Sequence, residues 1–118
     1  MARPLPGTVD VEGREFVYIE VTPGGSFPHL MQGILASCPA EPMPQSGGVL
    51  EEKVRVTLPD KTSLLAISFK GDLQGWRNKI VCYCKEKGRK WAVLRSQVFV
   101  ISEGVEVPAT DCDVRFEA

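Results

Sequence analysis

Basic residues are concentrated in one part of this chain of 118 residues, although the formal net charge of the whole is only −1. Positions 70–95 carry eight basic residues against two acidic ones, and both flanking parts are acidic. The densest part of the run, with the two aromatic residues interleaved in it, comprises Arg77, Lys79, Tyr83, Lys85, Lys87, Arg89, Lys90 and Trp91. Clustered cations attract anionic surfaces, and aromatic rings among them stack on bases or pack in an interface. These residues are the predicted binding site for an acidic partner. The alternative is a solvent-exposed hairpin tip, whose charges would only keep an edge strand soluble.

Residues that commonly carry catalysis are sparse in this sequence. The single histidine, His29, has no nucleophile motif around it, and a hydrolytic triad needs a nucleophile, a base and an orienting group. Asp111 and Asp113 alternate with Cys112, so both carboxylates are expected on the solvent face of a strand, where general acid catalysis is not expected. No phosphate-binding or dinucleotide-binding motif occurs. The sequence therefore predicts a non-catalytic protein with no catalytic residues and no cofactor.

Four cysteines, Cys38, Cys82, Cys84 and Cys112, are the other candidates for chemistry. A strand would place Cys82 and Cys84 on one face, but zinc sites usually space their paired cysteines two or more residues apart. We therefore expect no metal site. Because no secretion signal is apparent at the N-terminus, reduced thiols are expected rather than disulfides.

Composition indicates one globular domain over residues 1–118, with a flexible N-terminus at 1–7. Hydrophobic residues make up 43% of the chain and charged residues 25%, which is ordinary for a globular protein. No apolar run approaches the length needed to cross a bilayer, and no membrane association is expected. The predicted compartment is the cytoplasm.

The first half of the chain alternates strand and helix signals. Residues 8–21 predict a β-hairpin that turns at Gly13. Apolar residues at helical spacing then predict a helix over 27–37, with its inward face formed by Leu30, Ile34 and Leu35. Residues 38–48, rich in proline and glycine, predict an extended loop.

The second half is dominated by strand signals. Strands at 49–58 and 63–70 form a predicted hairpin, and strands at 79–84 and 90–95 form another around the charged tip at 85–89. A helix over 72–87 is the alternative for that segment, because its apolar residues also fit a helical period. These are Leu73, Trp76, Ile80 and Cys84. Further strands are predicted at 98–101 and 111–117.

Residues 8–44, with their hairpin, Thr22-Pro23 turn and helix, resemble the first half of a ubiquitin-like β-grasp domain. The resemblance implies an α+β fold in which one helix packs across a mixed sheet of hairpins, with 49–70 as an extra or elongated hairpin. It also implies that the last strand, with Val114 and Phe116 inward, lies centrally beside the first. The chain ends without Gly-Gly, so it resembles a ubiquitin-like domain rather than a modifier. More faintly, Lys79-Ile80, Tyr83, Lys90-Trp91 and Leu94 look like a hairpin in the N-terminal domain of a trypanosome flagellar-pocket-collar scaffold.

Together these patterns predict a protein–protein interaction module, the N-terminal domain of a larger scaffold or cytoskeletal protein. Its partner is an acidic protein surface bound by the basic hairpin, and its acidic and basic faces also permit self-association. The alternative is a small all-β barrel of the OB or SH3-like type that binds nucleic acid, which the sequence pI of about 5.8 disfavours. A third possibility is a β-sandwich interaction domain.

Overall fold

The computed structural model describes residues 14–102 and 104–117, which form seven strands, two α-helices and a short 3₁₀ helix. The strands are β1 (Arg14–Glu20), β2 (Gly47–Thr57), β3 (Ser63–Gly71), β4 (Trp91–Arg95), β5 (Val98–Ile101), β6 (Glu106–Pro108) and β7 (Asp113–Phe116). The helices are α1 (Phe27–Ala36) and α2 (Leu73–Lys87), and the 3₁₀ helix is Ala109–Asp111. Residues 1–13, which include the predicted flexible terminus at 1–7 and the first arm of the 8–21 hairpin, lie outside the described residues.

All seven strands belong to one sheet in the order β6-β5-β4-β1-β3-β2-β7, and every pairing between neighbours is antiparallel. Because β1 and β2 both run antiparallel to β3 between them, they are parallel to each other and joined by α1. In the same way β3 and β4 flank β1 and are joined by α2. Two interlocked split β-α-β units of this kind, in the order β4-β1-β3-β2, form the ferredoxin-like arrangement. The predicted α+β class is confirmed.

These strand pairings differ from the ubiquitin-like arrangement that the sequence predicts. There are two helices rather than one, the sheet of the described residues is antiparallel rather than mixed, and β7 lies at the edge beside β2. The expectation that the last strand lies beside the first is therefore wrong: Val114 is half-buried and Phe116 is exposed. The all-β barrel and sandwich alternatives are wrong as well, because α1 and α2 cover one face of the sheet.

Helix α1 forms as predicted, with one error on its inward face. Ser26 is its extended N-cap residue and a proline occupies the first turn, where its missing N–H costs little. Leu30 and Ile34 are buried against the sheet. Leu35, predicted to be inward, is 42% exposed, because one residue beyond Ile34 the helix has turned by about 100°.

The hairpin of β2 and β3 confirms the strands predicted at 49–58 and 63–70. The register runs from Gly47 opposite Gly71 to Thr57 opposite Ser63, with a bulge between Glu51 and Arg55. Strand β5 likewise confirms the prediction at 98–101. Because β2 starts at Gly47, the predicted 38–48 loop is two residues shorter than expected.

Helix α2 replaces the strand predicted at 79–84, so the alternative of a helix over 72–87 is correct. The Asp72 side chain accepts a hydrogen bond from the Gly75 amide at 3.0 Å and so caps the first turn. Gly88 closes the last turn in the left-handed conformation, with φ of +66°. Two good caps and a buried face outweigh the strand propensity of the β-branched and aromatic residues inside, and only β4 remains of the predicted hairpin.

The face of the sheet opposite the helices has a core of its own. Apolar residues of β1 to β5, together with Ala109 of the 3₁₀ helix, form this second core. Tyr18 and Phe99 are its two aromatic residues; both are fully buried, and their rings pack edge to face with centroids 5.1 Å apart. Burial, and to a lesser extent the nearby Glu52, raise the pKa of Tyr18. Both faces of the sheet are thus covered over its centre.

Cys38 and Cys82 form a disulfide, so the prediction of reduced thiols is wrong for this pair. It depended on Cys82 lying in a strand. In α2 that side chain instead faces the segment after α1, and the two Cα atoms are 6.3 Å apart, within the range that a disulfide spans. Cys84 and Cys112 are free, and burial, followed by the charge of Glu20, raises the pKa of Cys84 to about 12.

Candidate functional site

Two cavities lie along one side of α2 and share Trp91 as a lining residue. The first, which we call the apolar cavity, has a volume of about 190 Å³. Its lining is Glu15, Val17, Phe69, Arg77, Ile80, Val81, Trp91, Val93 and Arg95. The second, the basic cavity, has a volume of about 360 Å³ and is lined by Cys84, Lys85, Gly88, Arg89, Lys90, Trp91 and Ser102. We call the two together the α2–β4 groove.

The direction of α2 explains this arrangement. Helix α2 and strand β4 run in opposite directions, so that the start of the helix faces the end of the strand. Arg77 and Arg95 therefore meet in the apolar cavity, and the last turn of α2 meets Lys90 and Trp91 in the basic cavity. The basic end is sharply turned, because the left-handed Gly88 brings the Arg89 amide back to the Cys84 carbonyl at 2.8 Å.

Three cations at the basic end have no carboxylate partner among residues 14–102 and 104–117. Lys85 and Lys87 are exposed, Arg89 is half-buried, and none forms an ion pair in this part of the chain. The intervening Glu86 forms no ion pair with them in the described part of the chain, and its Oε2 accepts a hydrogen bond from the Cys38 amide at 3.0 Å. The two lysines also lie at the negative end of the helix dipole, where positive charge is favourable.

Two other predicted cations are already paired. Arg77 forms an ion pair with Glu15 at the mouth of the apolar cavity. Lys90 Nζ lies 3.1 Å from Asp60 Oδ2, on the turn between β2 and β3. Exposed pairs of this kind contribute at most about 1 kcal/mol and exchange readily with a new partner. Arg77 and Lys90 therefore border the groove but carry less free charge than the other three.

Lys79 does not belong to the site, contrary to the sequence prediction. Only 2% of its surface is exposed, and its Nζ donates to the carbonyls of Ser37 at 2.6 Å and Cys38 at 3.2 Å. These carbonyls follow the last turn of α1, where the backbone lacks helical partners. Lys79 is thus a structural cation that joins α2 to the end of α1.

Tyr83 is also misassigned by the sequence prediction. It is buried between the helices, and its ring packs so closely on Gly33 that a Cβ there would lie 2.9 Å from Tyr83 Cε1. Burial raises the pKa of Tyr83, and the neighbouring Arg89 opposes this effect. Tyr83 therefore lies beside the Arg89 side chain and is too buried to stack on a base.

Trp91 is the predicted site residue that the structure places most favourably. It is half-buried on the helix side of β4, opposite Ile19 of β1, and it borders both cavities. The sequence prediction missed the apolar residues beside it, above all Val81 and Val93. A signal for them exists, because β4 and β5 are apolar on both faces although their strands lie toward an edge of the sheet.

A third cavity, of about 170 Å³, lies at the start of α1 and is more polar. Glu20, His29 and Arg89 border it. His29 is exposed there, in agreement with the expectation that it lies near the start of the helix. Within the described ranges, 14–102 and 104–117, no three His, Cys, Asp or Glu side chains are grouped as metal ligands would be.

No helix in the described part of the chain is long and apolar enough to cross a bilayer. The comparisons with known proteins do not add a relative: no protein-family model, no curated protein and no solved structure matches this chain.

Proposed function

We propose that this chain is a non-catalytic interaction module whose α2–β4 groove binds an acidic segment of a protein partner. The observation that carries the proposal is a set of three cations, Lys85, Lys87 and Arg89, that have no carboxylate partner within residues 14–102 and 104–117 and lie beside a half-buried Trp91. The strand order gives no support to the ubiquitin-like and cytoskeletal-scaffold expectations, and the proposal does not depend on them.

The charge distribution favours an acidic partner. Lys85 and Lys87 extend into solvent, whereas their neighbour Glu86 is engaged with the Cys38 amide. A patch of one sign on a protein of nearly neutral net charge steers an oppositely charged partner to one place on the surface. Since exposed charges are screened by salt, binding through this patch should weaken as ionic strength rises.

Trp91 supplies the apolar part of the expected interface. Tryptophan and arginine are the residues most enriched among those that dominate binding energy, usually at the centre of a patch with a polar rim. Trp91 has this position, with the apolar cavity on one side and the basic cavity on the other. A partner that covers it gains apolar burial as well as charge attraction.

Nucleic acid is a less suitable partner than protein for this groove. RNA-recognition domains with a related arrangement of helices and strands stack bases on aromatic residues of an open sheet face. Here the corresponding face is covered, and its aromatic residues, Tyr18 and Phe99, are fully buried. Tyr83 is buried too, which leaves Trp91 as the accessible aromatic residue of the predicted site.

Fluorescence anisotropy with a labelled acidic peptide tests the proposal. The double variant Lys85→Glu/Lys87→Glu should bind about tenfold more weakly than wild type, because two rim attractions become repulsions worth roughly 1.4 kcal/mol together. Lys70→Glu/Arg115→Glu is the matched control: it changes the net charge equally, at exposed positions outside the groove lining. Equal weakening in both double variants, or stronger binding to single-stranded oligothymidylate than to the peptide, would contradict the proposal.

A further inference from the structure

We propose that the part of the sheet beside α2 is the surface that binds an amphipathic α-helix of the protein partner. This inference rests on the proposed function and adds the structure of the bound segment. It begins from the layering of the molecule. Helix α2 packs against β1, β3 and α1, whereas β4, β5 and β6 continue the sheet beyond it on the same side. Among the described residues, Trp91 and Val93 of β4 pack against the helix-side core at the border of α2, whereas the same face of β5 and β6 lies beyond the helix.

The chemistry of this face is apolar. Alternation places Ala92, Leu94, Phe99 and Ile101 in the core on the other side of the sheet, where all four are buried. The exposed Arg95, opposite Val98, lies at the end of the helix-side face. The remaining residues of that face on β4 and β5 are the half-buried Trp91, Val93, Val98 and Val100. Val93 and Val100 are directly opposite each other in the pairing of β4 with β5, so they form one continuous patch. We call these four residues the open face.

The open face and the neighbouring strand β6 together are as wide as one helix. Neighbouring strands are about 4.8 Å apart, so β4 to β6 spans about 10 Å, close to the 10–12 Å diameter of a helix with its side chains. Along β4, five residues extend about 13 Å, the length of about nine helical residues. A helix lying beside α2 would thus complete the layer of helices on this side of the sheet.

Charges around the open face indicate which helix fits. Arg77 and Arg95 border one end of the groove, and Lys85 and Arg89 border the other. Two carboxylates lie there as well: Glu15, which is paired with Arg77, and Glu106 on β6, opposite Val100 at the far edge. The complementary helix has an apolar stripe at i, i+3, i+4 and i+7 and acidic residues on the side that faces α2. Such helix-in-groove binding uses a few apolar anchors, here seated on Val93, Val100 and Trp91.

Two peptides of about 14 residues test this inference on the full chain. One places leucine at i, i+3, i+4 and i+7 with glutamate between; the other has the same composition in a scrambled order without an apolar stripe. We expect the first to bind about tenfold or more tightly than the second. Amide shifts in a nitrogen-15 NMR titration should be largest at Val93, Val100 and Trp91.

The variant Val100→Lys distinguishes the contribution of apolar contact with the open face from that of charge attraction. The added cation should favour any acidic peptide, yet it should weaken the amphipathic one about tenfold because it disrupts the apolar floor. Val105→Lys adds the same charge at an exposed valine outside the groove and is the matched control. Val100→Thr keeps the shape of the side chain and serves if the lysine variant does not fold.

The outcomes distinguish this inference from the proposed function. If both peptides bind with equal affinity and Val100→Lys changes neither affinity, the open face does not bind a helix, while the proposal of an acidic partner stands. If neither peptide binds below about 1 mM, both are wrong. Two results place another occupant on the open face and overturn the inference. Concentration-dependent shifts at Val100 without peptide indicate a second copy, and methyl contacts from Val9 or Val11 indicate the chain's own N-terminal segment.

Discussion

Loss of the disulfide between Cys38 and Cys82 should destabilise the protein strongly and leave the α2–β4 groove intact. The two cysteines are 44 residues apart, and the loop-entropy relation for a cross-link of this span gives about 4 kcal/mol of stabilisation. For a domain of this size each kcal/mol corresponds to about 4 °C in melting temperature. Cys38→Ser/Cys82→Ser should therefore melt about 16 °C below the oxidised wild type.

Differential scanning calorimetry measures this shift directly, on the oxidised protein, on the protein reduced with dithiothreitol and on the double variant. The variant should still fold, because Lys79 and Glu86 continue to join α2 to the end of α1. Cys112→Ser is the matched control, since Cys112 is a free thiol and its replacement leaves the disulfide in place. A difference below about 3 °C between the oxidised protein and the double variant would refute the reasoning.

Three further predictions concern single side chains. Lys79→Met should lower the free energy of unfolding by about 2 kcal/mol in urea titrations, because two carbonyls at the end of α1 lose a buried donor; an unchanged midpoint would count against that role. Hydrogen bonds from Thr62, reinforced by Lys90, lower the pKa of Asp60 from 3.8 to about 2. Since the folded pKa lies below the unfolded value, Asp60 stabilises the fold above pH 3.8, and this contribution is lost as the pH falls toward 2; a carboxyl NMR midpoint near 3.8 would contradict this. Because burial raises the pKa of Cys84 to about 12, iodoacetamide near pH 8 should label the half-buried Cys112 well before Cys84, and equal labelling rates would exclude that environment.

Much of the first half of the chain could be predicted from local patterns. Helix α1 and the hairpin of β2 and β3 have clear periodicity and clear turn residues, and both form where expected. The prediction that Leu35 is buried is wrong because Leu35 directly follows Ile34. The buried face of the helix is narrow, so the side chain of Ile34 is buried and that of Leu35 is exposed. The order of strands in the sheet is not a local property, so the chain's pattern did not distinguish the two-helix arrangement from a ubiquitin-like one.

The main difference in the second half is that helix α2 forms where the sequence predicts a strand at 79–84. Ile80 to Tyr83 favour strands by propensity, whereas the decisive signals were the caps, Asp72 three residues before Gly75 and Gly88 after the last turn. Three consequences follow from that difference. Lys79 and Tyr83 face inward only because the segment is helical, and Cys82 reaches Cys38 for the same reason.

The candidate site was found in part. The tip residues Lys85, Lys87, Arg89, Lys90 and Trp91 were predicted together, and four of them line the basic cavity. Their clustering was visible because they are close in sequence. The apolar cavity was not predicted, because it is assembled from β1, β3, β4 and α2, whose proximity depends on the strand order.

Fluorine-19 NMR of the protein labelled with 5-fluorotryptophan tests the central claim most directly, because the chain contains its own internal control. Trp91 is half-buried and borders both cavities of the groove, whereas Trp76 is buried against the helix-side core. Titration with the acidic amphipathic peptide should shift the Trp91 resonance and leave that of Trp76 in place, and Lys85→Glu/Lys87→Glu should reduce the effect. An unmoved Trp91 resonance at saturating peptide, or the same shift in the double variant, would contradict binding in the α2–β4 groove.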